Sequence, residues 1–181
     1  MATVTDNINI INNIAATVVP IERLITGAAY IIGIAFAFKA IHSLRQYGES
    51  RSLHSGHSSM KEPLIYLLVA GVFIYFPTAL AIILNTAFGS PNILAYSEVN
   101  STNPALTSLF GTGSLVGQSL TLIIQAIGAI AFIRGWILIA RSSSQGQQPG
   151  GTGKGMVHVF GGIIAMNIVL TLQIINNTLY G

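Results

Sequence analysis

Four stretches of this chain run for 18 to 21 residues with no more than one Lys, Arg, Asp or Glu apiece. Such a stretch satisfies its backbone amides inside a bilayer only as a helix, and about 20 apolar residues are enough to cross. Residues 64–84 hold no charge, with Pro77 inside at a place where a kink is expected. Residues 24–41 carry only Lys39, residues 120–140 only Arg134, and residues 157–175 none beyond the neutral His158. No Asp or Glu falls inside these four stretches, which excludes a carboxylate proton relay or ion site within them. Charged residues make up 7% of the 181 residues, against about 25% in soluble domains. That excludes a soluble globular enzyme, a disordered chain and a coiled coil. The absence of cysteine excludes a disulfide scaffold, a Cys-ligated zinc site and a thiol nucleophile. The expectation is an all-α, polytopic membrane protein with four transmembrane helices.

The N-terminal residues lack the basic start of a cleavable signal. Ile8, Ile11, Ile14, Ala15 and Val18 recur at helical spacing, away from Asn7, Asn12 and Asn13. Residues 1–20 therefore read as a short amphipathic helix in the interface, with Pro20 at a break or a new helix start. Orientation follows from the bases, which collect on the cytoplasmic side. Lys39, Arg45, Arg51 and Lys61 sit in or beside the first inter-helix loop, and Arg134, Arg141 and Lys154 in or beside the third. Residues 89–119 hold Glu98 and no base. Both termini and the middle segment are expected outside, in the periplasm if the membrane is a bacterial inner membrane.

The chain also repeats itself. Leu80, Ile82, Ile83, Asn85, Thr86 and Gly89 recur as Leu172, Ile174, Ile175, Asn177, Thr178 and Gly181, with Phe88 answered by Tyr180. These pairs are 92 apart; Ile32-Gly33 matches Ile127-Gly128, and Lys39 matches Arg134, at an offset of 95. Shared Leu and Ile are common in membrane segments, but the closing Asn-Thr-x-aromatic-Gly is not. Two helical hairpins of the same orientation are expected, as parallel repeats. The organisation reads as the segment 1–20, a first hairpin 21–89 with a basic loop 42–63, an external polar segment 90–119, and a second hairpin 120–181 with a Gly/Ser/Gln loop 141–156.

Candidate chemistry is sparse. Gly153-Lys154 stands in a glycine-rich loop, but Gln148 and Gly155 occupy positions where a phosphate-binding loop needs glycine and Ser or Thr. His54 and His57 could supply two metal ligands, short of the three or four a zinc site uses. No enzyme, metal or cofactor is expected, beyond a bound phospholipid. Lys39 and Arg134 are either snorkelling lipid anchors or faces of a polar lumen or acidic partner. Small residues four apart mark faces for close helix packing: Ala29, Gly33 and Ala37; Gly113 and Gly117; Ala131 and Gly135; Gly161 and Ala165. Such faces suit a homo-oligomer or contact with other membrane subunits.

Gly135-Trp136, Pro149-Gly150, Gly153-Lys154-Gly155, His158, Gly161-Gly162 and Asn167 together resemble the IcmC/DotE family of type IVB secretion systems and its relative TraQ of I-type conjugative plasmids. The first hairpin departs from that pattern, since Lys61 is followed by Glu62-Pro63. The resemblance implies a non-enzymatic inner-membrane component of an apparatus that moves DNA or proteins between cells, with neighbouring secretion subunits as partners. Each half is also similar to conjugative pilins of the VirB type, as a fused pair of hairpins. In such an assembly the basic loops would line a pilus lumen and meet single-stranded DNA in transit. A small solute channel or transporter is the rival class, with Asn85, Gln125, Asn167 and Gln173 as its polar candidates.

Overall fold

The computed structural model of the chain describes residues 4–52, 59–89, 103–111, 114–144 and 150–180. Among the described residues there is no strand. The helices are α1 (Val4–Ser52), α2 (Lys61–Ile74), α3 (Phe76–Phe88), α4 (Pro104–Phe110), α5 (Leu115–Ser142), α6 (Gly151–Met166) and α7 (Ile168–Tyr180). Two segments are long and apolar enough to cross a membrane, Pro20–Ser50 and Val116–Ser142, and the number rises to four if each bent pair described below is one span. The chain is built as a membrane protein.

Several boundaries differ from the sequence reading. α1 runs from Val4 through Pro20 unbroken, so no helix break sets residues 4–20 of the expected segment 1–20 apart from the first span. It also continues past residue 41 to Ser52, taking in much of the expected loop 42–63. Arg45 Nε and Glu49 Oε1, 2.8 Å apart one turn along the helix, support that extension by about 0.3–0.5 kcal/mol. The membrane-length segment thus begins before residue 24 and brings in Glu22, whose half-buried carboxyl has one oxygen without a protein partner. α6 likewise starts at Gly151, inside the expected loop 141–156, after Gly150 turns the chain at φ +105°. In the segment 90–119, α4 seats Phe110 against Val169, with Leu106, Ile168 and Leu172 packed around them.

The second and fourth expected spans are each broken. α2 and α3 meet at 93° around Tyr75, and α6 and α7 at 87° around Asn167. Pro77 explains the first bend. It has no N–H and clashes with the carbonyl four residues back, but fits the first turn of a new helix, and α3 starts one residue before it. No proline accounts for the second bend. There the Asn167 N–H bonds Ile164 O at 3.2 Å, a tightened turn, and the Thr171 hydroxyl donates to Asn167 O at 2.9 Å. Asn167 O also keeps its helical bond from the Thr171 N–H at 3.0 Å, and the same hydroxyl stands 3.4 Å from Ile164 O across the bend. With 14 and 13 residues, α2 and α3 are about 21 and 20 Å long, so neither alone crosses a core of about 30 Å.

Helix contacts rest on glycine at a few places. A Cβ added at Gly135 would lie 2.6–2.8 Å from Val159 and from Gly155 O, and one at Gly128 would lie 2.8–2.9 Å from Met166 N and Gly162 O. Gly128 and Gly135 are seven apart on α5, as are Gly155 and Gly162 on α6. In the first hairpin a Cβ at Gly33 would meet Ile74 N at 2.9 Å and Phe73 at 3.0 Å. Ala29 is buried, Ala37, Ala131 and Ala165 are half-buried, and Gly117 lies beneath Leu109 O. Gly161 faces open space and Gly113 lies outside the described residues. Gly135→Leu is expected to destabilise the detergent-purified protein by about 1–3 kcal/mol through overpacking. Gly161→Leu should stay within about 0.5 kcal/mol of the parent; thermal unfolding of the two variants checks the contrast.

Candidate cationic cleft

The chain divides into two compact units. One comprises Met1–Leu24, Leu80–Ile130 and Gly161–Gly181, the other Ile25–Ala79 and Ala131–Phe160. Lys39, Arg45, Lys61, Arg134, Arg141 and Lys154 all belong to the second unit, and Arg23 to the first. The side chain of Arg51 and both His54 and His57 lie outside the described residues.

Within the second unit six aromatic rings form a chain. Trp136 meets Phe132 edge-on at 6.2 Å, Phe132 meets Phe76 at 6.3 Å, and Phe76 meets Phe73 at 6.3 Å. Phe73 then stacks on Phe36 at 6.4 Å, and Phe36 on Tyr66 at 5.8 Å. Such pairs contribute about 0.5–1.5 kcal/mol each beyond their burial. Tyr66, fully buried, ends the series with two polar contacts. Its hydroxyl lies 2.5 Å from Ser144 Oγ, and Lys39 Nζ stands over its ring at 4.5 Å. A cation over an aromatic face gains about 0.5–1 kcal/mol at an exposed site.

These contacts set the sense of the helices. Lys39 reaches Tyr66, while Gly33, earlier on α1, meets Phe73 and Ile74, later on α2; α1 and α2 are antiparallel. Tyr66 reaches Ser144, just past the end of α5, and Phe76 reaches Phe132, earlier on it; α5 also runs against α2. It follows that α1 and α5 run the same way here. A cleft of about 350 Å³ is lined by Ile32, Ala35, Phe36 and Lys39 of α1 and by Ile137 and Arg141 of α5. On each helix the cation is the last residue of the lining face, so Lys39 and Arg141 lie toward the same end. No carboxylate lines the cleft.

The structure therefore joins Lys39 with Arg141. Arg134, exposed two turns before Arg141, does not line the cleft. Arg45 is engaged with Glu49, and Lys61 and Lys154 are exposed on α2 and α6. His42 faces Gln46 at 3.2 Å, and His158 Nδ1 lies 2.8 Å from Lys154 O. Among the described residues no three His, Asp or Glu side chains converge as a metal site would require. Tyr66 and Ser144 were missed by sequence reasoning, because an aromatic in an apolar run and a serine in a loop carry no mark of partnership. No protein-family model, curated protein or solved structure matches the chain.

Removing the Tyr66 hydroxyl with Tyr66→Phe keeps the ring under Lys39 and deletes the bond to Ser144. The expected loss is about 1 kcal/mol, and Ser144→Ala should add little to it. A double-mutant cycle on thermal unfolding measures that coupling.

Proposed function

We propose that this protein is a non-enzymatic structural subunit of a type IVB secretion or conjugative DNA-transfer apparatus in a bacterial inner membrane, assembling by helix packing with copies of itself or with neighbouring subunits. One observation carries the reading. The stretch that resembles the IcmC/DotE family holds the glycines at the α5–α6 contact, Gly135, Gly155 and Gly162, and the bend at Asn167. Those three glycines and the asparagine thus have structural work at their positions, while Gly153 and Gly161 of the same stretch face open space.

The chain is, on this reading, two parallel copies of one hairpin. The bends at Tyr75 and Asn167 are 92 residues apart, as are the pairs Phe73–Ala165 and Ile74–Met166 that meet Gly33 and Gly128 respectively. Thr86 Oγ1 donates to Ile82 O at 2.8 Å, and Thr178 Oγ1 to Ile174 O at 2.7 Å, again 92 apart. The shared direction of α1 and α5 in the second unit agrees with repeats of the same orientation. Gathering of the bases in that unit supports a cytoplasmic location for it, with both termini periplasmic. Exposed apolar residues on α1, among them Ile31, Phe38 and Ile41, provide surface for lipid or for neighbouring subunits.

The rival reading, a small solute channel, draws on uncharged polar side chains buried in the first unit: Thr121, Gln125, Asn167 and Asn176, each with an atom lacking a protein partner. Asn85, by contrast, is exposed and Gln173 half-buried.

Deleting the protein from a transfer-competent strain is expected to abolish transfer, and the wild-type chain to restore it; unchanged transfer would refute the reading. Lys39→Glu combined with Arg134→Glu should abolish transfer while leaving membrane insertion intact, whereas wild-type transfer would reduce both residues to lipid anchors. The chain has no cysteine, so single introduced thiols report topology cleanly. Ser59→Cys should react with an impermeant maleimide only after the inner membrane is breached, and Thr107→Cys without that step.

A further inference from the structure

We propose that the cleft between α1 and α5 binds one anionic phospholipid, its phosphate held between Lys39 and Arg141 and an acyl chain laid along Ile32, Ala35, Phe36 and Ile137. This inference goes beyond the transfer function and does not depend on it. Three features of the cleft point to a lipid. Its walls are apolar, and a free phosphate ion has no use for them. Both cations stand at one end and no carboxylate lines the rest. From Ile32 to Lys39 is about 10 Å along the helix, the upper part of an acyl chain in a leaflet of about 15 Å.

Lys39 is pre-positioned for this role. The Tyr66 face takes one side of the ammonium at 4.5 Å, and Tyr66 is itself fixed by Ser144. An ammonium has three donors and a ring face occupies only one direction, which leaves the outer side for phosphate oxygens. Arg141, one turn before Ser144, offers a planar fork suited to two phosphate oxygens. The nearby carboxylates do not compete: Glu49 is engaged with Arg45, and Glu62 sits in the first turn of α2, outside the lining. Basic pockets between membrane helices on the cytoplasmic side commonly take anionic head groups.

The chain's single tryptophan makes the test direct, since Trp136 immediately precedes Ile137 of the lining. The full chain is placed in phosphatidylcholine vesicles containing a minor fraction of acyl-brominated phosphatidylglycerol or, in parallel, acyl-brominated phosphatidylcholine, and Trp136 quenching is compared. Preferential quenching by the phosphatidylglycerol is expected. Lys39→Gln and Arg141→Gln should each reduce the preference by about fivefold, and together abolish it. Lys61→Gln with Lys154→Gln, which changes charge outside the cleft, should leave it intact. Ala35→Leu narrows the apolar wall at an exposed position and should reduce the preference with both cations present. Equal quenching by the two lipids in the parent overturns the proposal, and so does a preference that survives the double cleft variant. Equal loss in the Lys61/Lys154 control would assign the effect to general surface charge, and loss on adding inorganic phosphate to a free-anion site; either result also overturns it.

Discussion

Close approach of helix backbones is the constraint on which the second hairpin depends. In hydrocarbon an apolar side chain gains little by turning inward, because lipid tails are as apolar as leucine. Helices therefore hold one another through dispersion at short range, which falls away when a gap of even 0.5–1 Å opens. At Gly135 and Gly155, and again at Gly128 against Gly162 O, there is no room for a Cβ. These pairs fall one heptad apart on both helices, so a single antiparallel contact is maintained over about 10 Å of axis.

The first hairpin meets the same requirement differently. At the positions that match Gly135, Gly155 and Gly162 it has Ala40, Pro63 and Ala70, all buried, and only Gly33 keeps the glycine of its counterpart. Aromatic rings make up the difference: between α1 and α2, Phe36 stacks on Phe73 and meets Tyr66 at a tilt. That substitution has a chemical consequence. Tyr66 gives Lys39 a ring to stand on, while Arg134, the matching cation, is matched with His158 in place of a tyrosine and is exposed. Two cations at matching positions thus differ in setting, and Lys39 is the one that shares a cleft with Arg141.

The membrane character and the four apolar stretches were legible because hydrophobic length is a one-dimensional property. The bends were less so. Pro77 marks one near its place, but Asn167 resembles any polar residue tolerated in a buried helix until its N–H is seen bonded to Ile164 O, one residue short of the helical partner. Small residues four apart mark some packing faces, but the contact glycines of α5 and α6 recur at seven, and Gly155 reads in sequence as part of a glycine-rich loop. Gly161, adjacent to the contact residue Gly162, faces open space; the face a glycine presents is invisible without the helix phase. The cleft was illegible for a different reason. Lys39 and Arg141 are about a hundred residues apart, and only the packing of α1, α2 and α5 brings them to one end of a common groove.

The two units differ in the polarity they hold. Most of the bases lie in the second unit at exposed positions, whereas the first holds Arg23 and the half-buried Glu22 and buries the uncharged Thr121, Gln125, Asn167 and Asn176. An uncharged amide without a partner costs about 1–3 kcal/mol, far less than an ionised group deep in hydrocarbon. A chain that needs polar groups near its helix bends is therefore confined to amides and hydroxyls there. Its cations belong where their stems can reach head groups. The bend at Asn167 is the case in point: the asparagine side chain is buried, a threonine hydroxyl stands across the bend between Asn167 O and Ile164 O, and no charge enters. The glycine contact at Gly128 and Met166 lies immediately beside it. Backbone proximity and backbone satisfaction are thereby met within a few residues of each other.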